Sequence, residues 1–253
     1  MRDNVREFVR MAAQAFDLRA PVYEFGSYQV PGCGTKADLR SFFHAKRYVG
    51  CDMRHGPGVD RVEDLGRLTL PDGHAGTIIC VDTLEHVFEV KQAVNEMIRV
   101  LAPGGMLLVT APLDFRIHFH PSDYWRLTPA CLERLLAPLG VTLVGSQGVE
   151  SYPHTVFGIG AKTPVSDGFG ECAHRFMTGF QVWLERAQRA IGWPERVKRG
   201  LRAWATSRGD RRRQREYFSA RFVVSMQRMP ARVSHLPPLW HSDTNAGTRL
   251  DLH

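Results

Sequence analysis

One stretch constrains the fold more than any other: TIICVDTLEHVFEVKQAVNEMIRVLAPGGMLLVTAP, residues 77–112. Residues 77–81 and 106–109 are short apolar runs rich in β-branched residues, the pattern of strands buried on both faces. Between them Val90, Val94, Met97, Ile98 and Leu101 recur at helical spacing, which predicts a helix with one face on a sheet. Pro103-Gly104-Gly105 is expected to end that helix and turn the chain back. Strand, helix and strand of this length form a crossover unit whose two strands run parallel. Ligands of open parallel sheets sit beyond the carboxyl ends of the strands. That rule directs attention to Asp82, Thr83, Glu85 and His86 after the first strand, and to residues 111–116 after the second.

The same alternation surrounds this unit. Val5, Phe8, Val9, Ala12 and Phe16 form a helical stripe, with Asp3 or Asn4 as N-cap. Residues 21–25 (PVYEF) read as a first strand and residues 37–43 as a short helix. Residues 48–51 read as a second strand ending at Asp52, and residues 59–64 hold a short third strand. Thr128-Pro129 is a helix start, with threonine as N-cap and proline at the first helical position. Residues 141–144 and 155–159 read as closing strands. With 253 residues, the chain accommodates one sizeable α/β domain and an appendage. The expected fold is a doubly wound, mostly parallel seven-stranded sheet with a reversed last strand, over residues 1–165.

Charge separates the two parts. The net charge is +7, and residues 166–253 hold 16 Lys and Arg against 8 Asp and Glu, so the rest is near neutral. The high basicity therefore says nothing about the main domain's ligand. Phe176, Phe180, Trp183, Ala187 and Ile191 form a helical stripe broken at Pro194 and resumed by Val197, Leu201 and Trp204. This predicts a basic amphipathic helical extension over residues 166–235, followed by a disordered tail over 236–253. The extension is expected to pack on the domain or on a second subunit. Its Trp183, Trp193 and Trp204 beside arginines also suit an anionic membrane surface, whereas nucleic acid is not an expected partner. No apolar run approaches membrane-spanning length, and the first sixteen residues lack a signal-peptide core. The five cysteines form no CxxC pair, which points to reduced thiols. A cytoplasmic protein, at most peripheral to a membrane, is the expectation.

VYEFGS, YVGCDMRHGPGVD, ICVDTLEHV and RVLAPGGMLLVTAP, in this order over roughly residues 20–162, resemble the class I S-adenosylmethionine-dependent methyltransferases. The likeness is greatest to their small-molecule "type 11" branch, and DYWRLTPACLERLL resembles a DYWRFTP-type segment of some bacterial members. The resemblance implies a Rossmann-like methyltransferase fold, S-adenosylmethionine as cofactor, and a small-molecule or sugar-containing, glycan-type acceptor. It also implies a set of cofactor contacts. Glu24 closes the first strand, Gly26 lets the cofactor approach the backbone, and Ser27 lies beside its methionine end. Asp52 holds both ribose hydroxyls, since a carboxylate accepts two hydrogen bonds in a fork. Met53 flanks the adenine, Asp64 reads the adenine amino group with Leu65 as backbone partner, and Asp82 completes the set. The chain departs from the family's E-x-G-x-G pattern: Ser27 and Tyr28 stand near where a second glycine is usual, and Gly32 and Gly34 follow later. The Asn/Asp-Pro-Pro-Tyr signature for planar amines is replaced by VDTL, which favours oxygen or carbon acceptors.

Methyl transfer from a sulfonium needs alignment above all. His118, His120 and Asp123 lie on the loop where an acceptor reaches the methyl, and are candidates for removing a hydroxyl proton. Tyr124, Trp125 and Arg126 either shape that pocket, with Arg126 pairing an acidic substrate group, or lock the loop onto the domain. No metal is expected: His118 and His120 in a loop and His86 at a helix start are read as hydrogen-bonding or packing residues. Two other readings compete. Gly32-Cys33-Gly34-Thr35-Lys36-Ala37 fits the G-x-G-x-x-A of NAD-binding folds, but the first strand ends near Phe25 and Val30-Pro31 intervenes. A cofactor fold that has lost catalysis, interacting through its basic tail, is the other.

Overall fold

The computed structural model describes residues 2–30, 37–118, 121–190, 216–226 and 248–250. Strands β1 (Val22–Phe25), β2 (Tyr48–Asp52), β3 (Arg61–Val62), β4 (Ala75–Val81) and β5 (Leu101–Pro112) run parallel in the spatial order β3-β2-β1-β4-β5. Every residue of β1 and β4 is buried, which is why their sequences are continuously apolar apart from Glu24 and Thr77. Successive residues point to opposite faces. Ile78, Cys80, Leu107 and Val109 pack with the apolar stripes of α2 (Val90–Val100) and α3 (Pro129–Leu136). Ile79, Val81 and Leu108 join α1 (Asp3–Ala15) and α4 (Phe169–Arg189) on the other face. Each fully buried side chain of Leu or Val size contributes about 1.5–3 kcal/mol. β7 (Tyr152–Ala161) pairs antiparallel with β5, as expected of a reversed strand, and β6 (Val141–Val149) lies outside it.

Two local expectations change. The Pro103-Gly104-Gly105 break does not end α2. The helix stops at Val100, and fully buried Leu101 already pairs with Ala75, while the register resumes only at Thr77 and Met106. The three residues are an excursion inside β5, and Gly104 sits at φ +66, where a side chain is strained. At the N-terminus, neither Asp3 nor Asn4 caps α1. Arg2 occupies the N-cap position with no side-chain cap, and Asn4 instead donates to Gln147 and Thr155.

Among the described residues the sheet has nine strands, two more than the seven expected. β8 (Ala220–Met226) pairs antiparallel with β6, and β9 (Thr248–Leu250) pairs with β8, so residues 248–250 belong to the sheet rather than to a disordered tail. The segment after residue 165 is therefore partly structural. Phe8 of α1 stacks on Phe157 of β7 with centroids 5.0 Å apart, and Phe157 meets Phe180 of α4 at 5.4 Å. Phe176 of α4 meets Phe222 of β8 at 5.5 Å. One aromatic core thus joins both sides of the expected boundary. Trp193, Trp204, the basic run at residues 209–215 and the Gly32–Gly34 motif lie outside the described residues. No described helix is long and apolar enough to cross a membrane.

Candidate active site

In a 3-2-1-4-5 sheet the strand order reverses between β1 and β4, and the carboxyl ends of these strands diverge there. A cavity of about 390 Å³ opens at that point. Glu24, Gly26, Ser27, Asp52, Met53, Asp64, Leu65, Asp82 and His118 all line it, so nine of the residues singled out from the sequence meet in one place.

Backbone geometry builds the floor. Gly26 turns away from β1 at φ +84, with its N–H and that of Ser27 bonded to the Cys51 carbonyl at 2.8 and 3.0 Å. A Cβ on Gly26 would fall 2.1 Å from Thr83 Oγ1, so only glycine keeps β1 and β4 this close. The Ser27 hydroxyl is buried beside the cavity with no hydrogen-bond partner among the described residues. Such an orphaned donor marks a place for a polar ligand atom. Glu24 is 4 % exposed and accepts a bond from the Tyr48 hydroxyl at 2.5 Å. Burial pushes its carboxyl up to about 7, although the Tyr48 bond acts the other way.

One end of the cavity is assembled from short loops. Asp52 Oδ1 accepts from the Arg54 N–H at 3.1 Å, so the carboxylate both steadies its turn and faces the cavity. Met53 stands 59 % exposed at the rim, an apolar surface open to a planar ring. Asp64 is solvent-exposed, and its Oδ1 caps its own turn through Gly66 N–H at 2.8 Å. Its neighbour Glu63 is buried but already occupied by Thr69 and Arg61.

Sequence reasoning missed Arg2. Its guanidinium holds Asp82 in a fork, at 2.8 and 3.2 Å, and also reaches Thr155 Oγ1 at 2.7 Å. Thr110 donates to Asp82 as well, at 3.0 Å. Asp82 is thereby committed within the protein, in a strained φ of +47, and fixes the chain's second residue against the cavity. An arginine at a helix start carries no sequence signal of such a long-range pairing.

At the opposite end, two loops are stitched together. The Glu85 carbonyl accepts from Tyr124 and Trp125 N–H at 2.7 and 3.2 Å, bringing the loop after β5 over the 3-10 turn Leu84–His86. This places His118 against His86, with ring centroids 4.7 Å apart. Asp123 does not line the cavity. Both of its oxygens bind Arg126, at 2.5 and 2.7 Å, and the His118 N–H donates to it at 2.8 Å. The Arg126 bonds hold its carboxyl well below the usual carboxylate range, which makes it a weak proton acceptor for the role expected from the sequence. Arg126 in turn is unavailable to an acidic substrate group: the pair locks the loop and orients His118. His120 lies outside the described residues.

Residues 30–109 match the family model of a methyltransferase domain. A curated protein of Mycolicibacterium smegmatis, described as a "Probable S-adenosylmethionine-dependent methyltransferase", is 35 % identical over 118 residues. The stretch matched is similar to S-adenosylmethionine-dependent methyltransferases. The match to the mycobacterial relative spans 46 % of this chain and 42 % of the relative, less than half of each. Among solved structures, a Thermotoga maritima methyltransferase described as a possible histamine N-methyltransferase is 17 % identical, with 63 % of this chain and 92 % of that one covered at a TM-score of 0.46. The 1,6-didemethyltoxoflavin-N1-methyltransferase of Burkholderia thailandensis is 18 % identical, with 64 % and 79 % covered at a TM-score of 0.47. At these scores no residue correspondence is drawn.

Proposed function

We propose that this protein transfers the methyl group of S-adenosylmethionine to an oxygen of a small-molecule or sugar-containing acceptor. The observation that carries the reading is the cavity at the β1/β4 reversal, where a glycine that tolerates no Cβ, an orphaned buried hydroxyl and a strand-end carboxylate converge. Its size suits a ligand of cofactor class. The cofactor, when bound, supplies an activated methyl on a good leaving group. Asp52 would hold the ribose hydroxyls, Met53 and Leu65 would border the adenine with Asp64 at its edge, and Gly26 and Ser27 would accept the methionine end. The acceptor would enter from the side of Phe115 and His118, leaving the protein to align it and exclude water.

Calorimetric titration of the full chain with S-adenosylmethionine, S-adenosylhomocysteine and NAD tests this directly. Micromolar binding of the first two with no heat from NAD is expected. NAD binding more tightly than either overturns it in favour of an oxidoreductase. Cofactor binding without methyl transfer to any hydroxylated acceptor in a tritium-release screen favours the catalytically silent interaction module instead.

A further inference from the structure

We propose that Glu85, His86 and His118 bind a divalent transition-metal ion at the acceptor end of the cavity. Glu85 is fully buried, and neither carboxylate oxygen meets a hydrogen-bond donor among the described residues. A buried carboxylate in that state demands a cation or a proton. The nearby guanidinium groups are committed elsewhere, Arg2 to Asp82 and Arg126 to Asp123. What faces Glu85 Oε1 is a pair of imidazole Nε2 atoms, those of His86 and His118, each 3.8 Å away. One ligand atom from each of the three residues lies within 4.8 Å of the other two. A tetrahedral ion with bonds of about 2.0–2.1 Å keeps its donors about 3.3 Å apart. The observed separations to Glu85 need close by only about half an ångström to meet it.

His86 is oriented as metal ligands are, through its second ring nitrogen, and His118 is held by its backbone N–H on Asp123. The His86 Nδ1–H donates to the Ser122 carbonyl at 2.5 Å, which leaves Nε2 as the lone-pair nitrogen on the Glu85 side. His118 Nδ1 lies 3.2 Å from Asp123 Oδ2, and Asp123 is itself fixed by Arg126. Two imidazoles and one carboxylate suit zinc or iron(II), whereas magnesium and calcium prefer all-oxygen sets. Three protein ligands leave a coordination position open, and all three residues line the cavity. Its role in catalysis rests on the function proposed above. The ion, when bound, would lower the pKa of a hydroxyl at the open position; the proton would leave to solvent, the oxygen would form the new C–O bond, and the methyl–sulfur bond would break with its electron pair going to sulfur.

The test is calorimetric titration of metal-stripped full-length protein with zinc chloride, with magnesium chloride as a second probe. One zinc per chain at micromolar affinity or tighter is expected, weakened at least tenfold in His118→Ala and in His86→Ala, and unchanged in His44→Ala, an exposed histidine remote from the site. Zinc should also raise the melting temperature of the wild type and not that of His118→Ala. No zinc uptake, equal affinity for magnesium, or uptake unaltered in both His118→Ala and His86→Ala overturns the site. Each variant is checked for its fold by circular dichroism; should His86→Ala unfold, Glu85→Gln takes its place under the same criterion. Titrating S-adenosylmethionine into the metal-free protein separates the two readings. Cofactor binding without zinc uptake overturns the metal site alone, and zinc uptake without cofactor binding overturns methyl transfer alone.

Discussion

Replacing Asp52 by alanine tests the cofactor assignment most sharply, because the structure gives this carboxylate two duties that respond differently. One oxygen accepts the Arg54 N–H at 3.1 Å, and the side chain, only 10 % exposed, faces the cavity. Losing the turn contact costs about 1 kcal/mol, by analogy with a lost cap. In a chain of this size that lowers the melting temperature by roughly 2–4 °C. Losing the ligand contact costs more. Two hydrogen bonds to a charged acceptor are worth about 1.5–3 kcal/mol each, and two that share one carboxylate do not add fully. A loss of about 2–4 kcal/mol follows, or roughly 30- to 1000-fold in the dissociation constant of S-adenosylmethionine. Asp52→Asn should fall between, keeping one acceptor and losing the charge. Calorimetric titration and thermal unfolding on the same preparations separate the two duties. A melting temperature lowered by a few degrees with cofactor affinity unchanged would refute the ribose assignment and leave Asp52 a turn residue.

Two further outcomes are expected. Burial raises the Glu24 carboxyl from 4.5 to about 7, so the folded state holds its proton more tightly than the unfolded chain. Its stabilising contribution is complete below the unfolded value and disappears as pH rises through the folded one, a loss of about 3 kcal/mol between pH 4.5 and 7.5. Urea unfolding across that range should show a decline that Glu24→Gln largely removes; equal declines in both proteins would show that Glu24 does not titrate there. Ending the chain after Ser166 removes Phe176, Phe180 and Phe222 from the aromatic core. At about 3–5 kcal/mol for each buried phenylalanine, against total stabilities of about 5–15 kcal/mol, the truncated chain should lose cooperative unfolding. A sharp thermal transition in that fragment would show that residues 1–166 form a complete core.

The parts of this fold legible in the sequence are those with local causes. Uninterrupted apolar runs gave β4 and the far half of β5 away, and 3.6-residue spacing gave α1 and α2 away, because burial on two faces or on one leaves opposite patterns. Thr128-Pro129 marked α3 through its own side chain, which accepts the Cys131 N–H at 3.1 Å. Glu24, Gly26 and Asp52 were singled out through the family resemblance, and the structure brings them together at one cavity. What escaped depends on pairings that local patterns do not announce. Arg2 is invisible as a site residue until Asp82, eighty positions on, is seen to accept it. Asp123 looked like a base because its spacing to Arg126, only three residues on, does not say that the arginine takes both its oxygens. His86 and His118 looked unrelated, being thirty-two residues apart and brought together by bonds between their loops, the Glu85 carbonyl holding Tyr124 and Trp125 and the His86 ring holding the Ser122 carbonyl. Ala220–Met226 carries the alternation of a strand, but its partner β6 ends some seventy residues earlier.

That last pairing has a consequence for how the polypeptide is made. During synthesis, β1 to β7 leave the ribosome well before β8. Until residues 220–226 emerge, β6 presents an open row of N–H and C=O groups beside Val141, Leu143 and Val144, which the finished protein buries. Phe157 likewise awaits Phe180 and Phe222. At about 5–20 residues per second, the roughly seventy residues separating the two strands take several seconds to translate. For that interval the nascent chain offers neighbouring ribosomes' products a template for strand addition. Its yield in the cell should therefore respond to chaperone supply and translation speed over this interval as well as to the stability of the completed sheet.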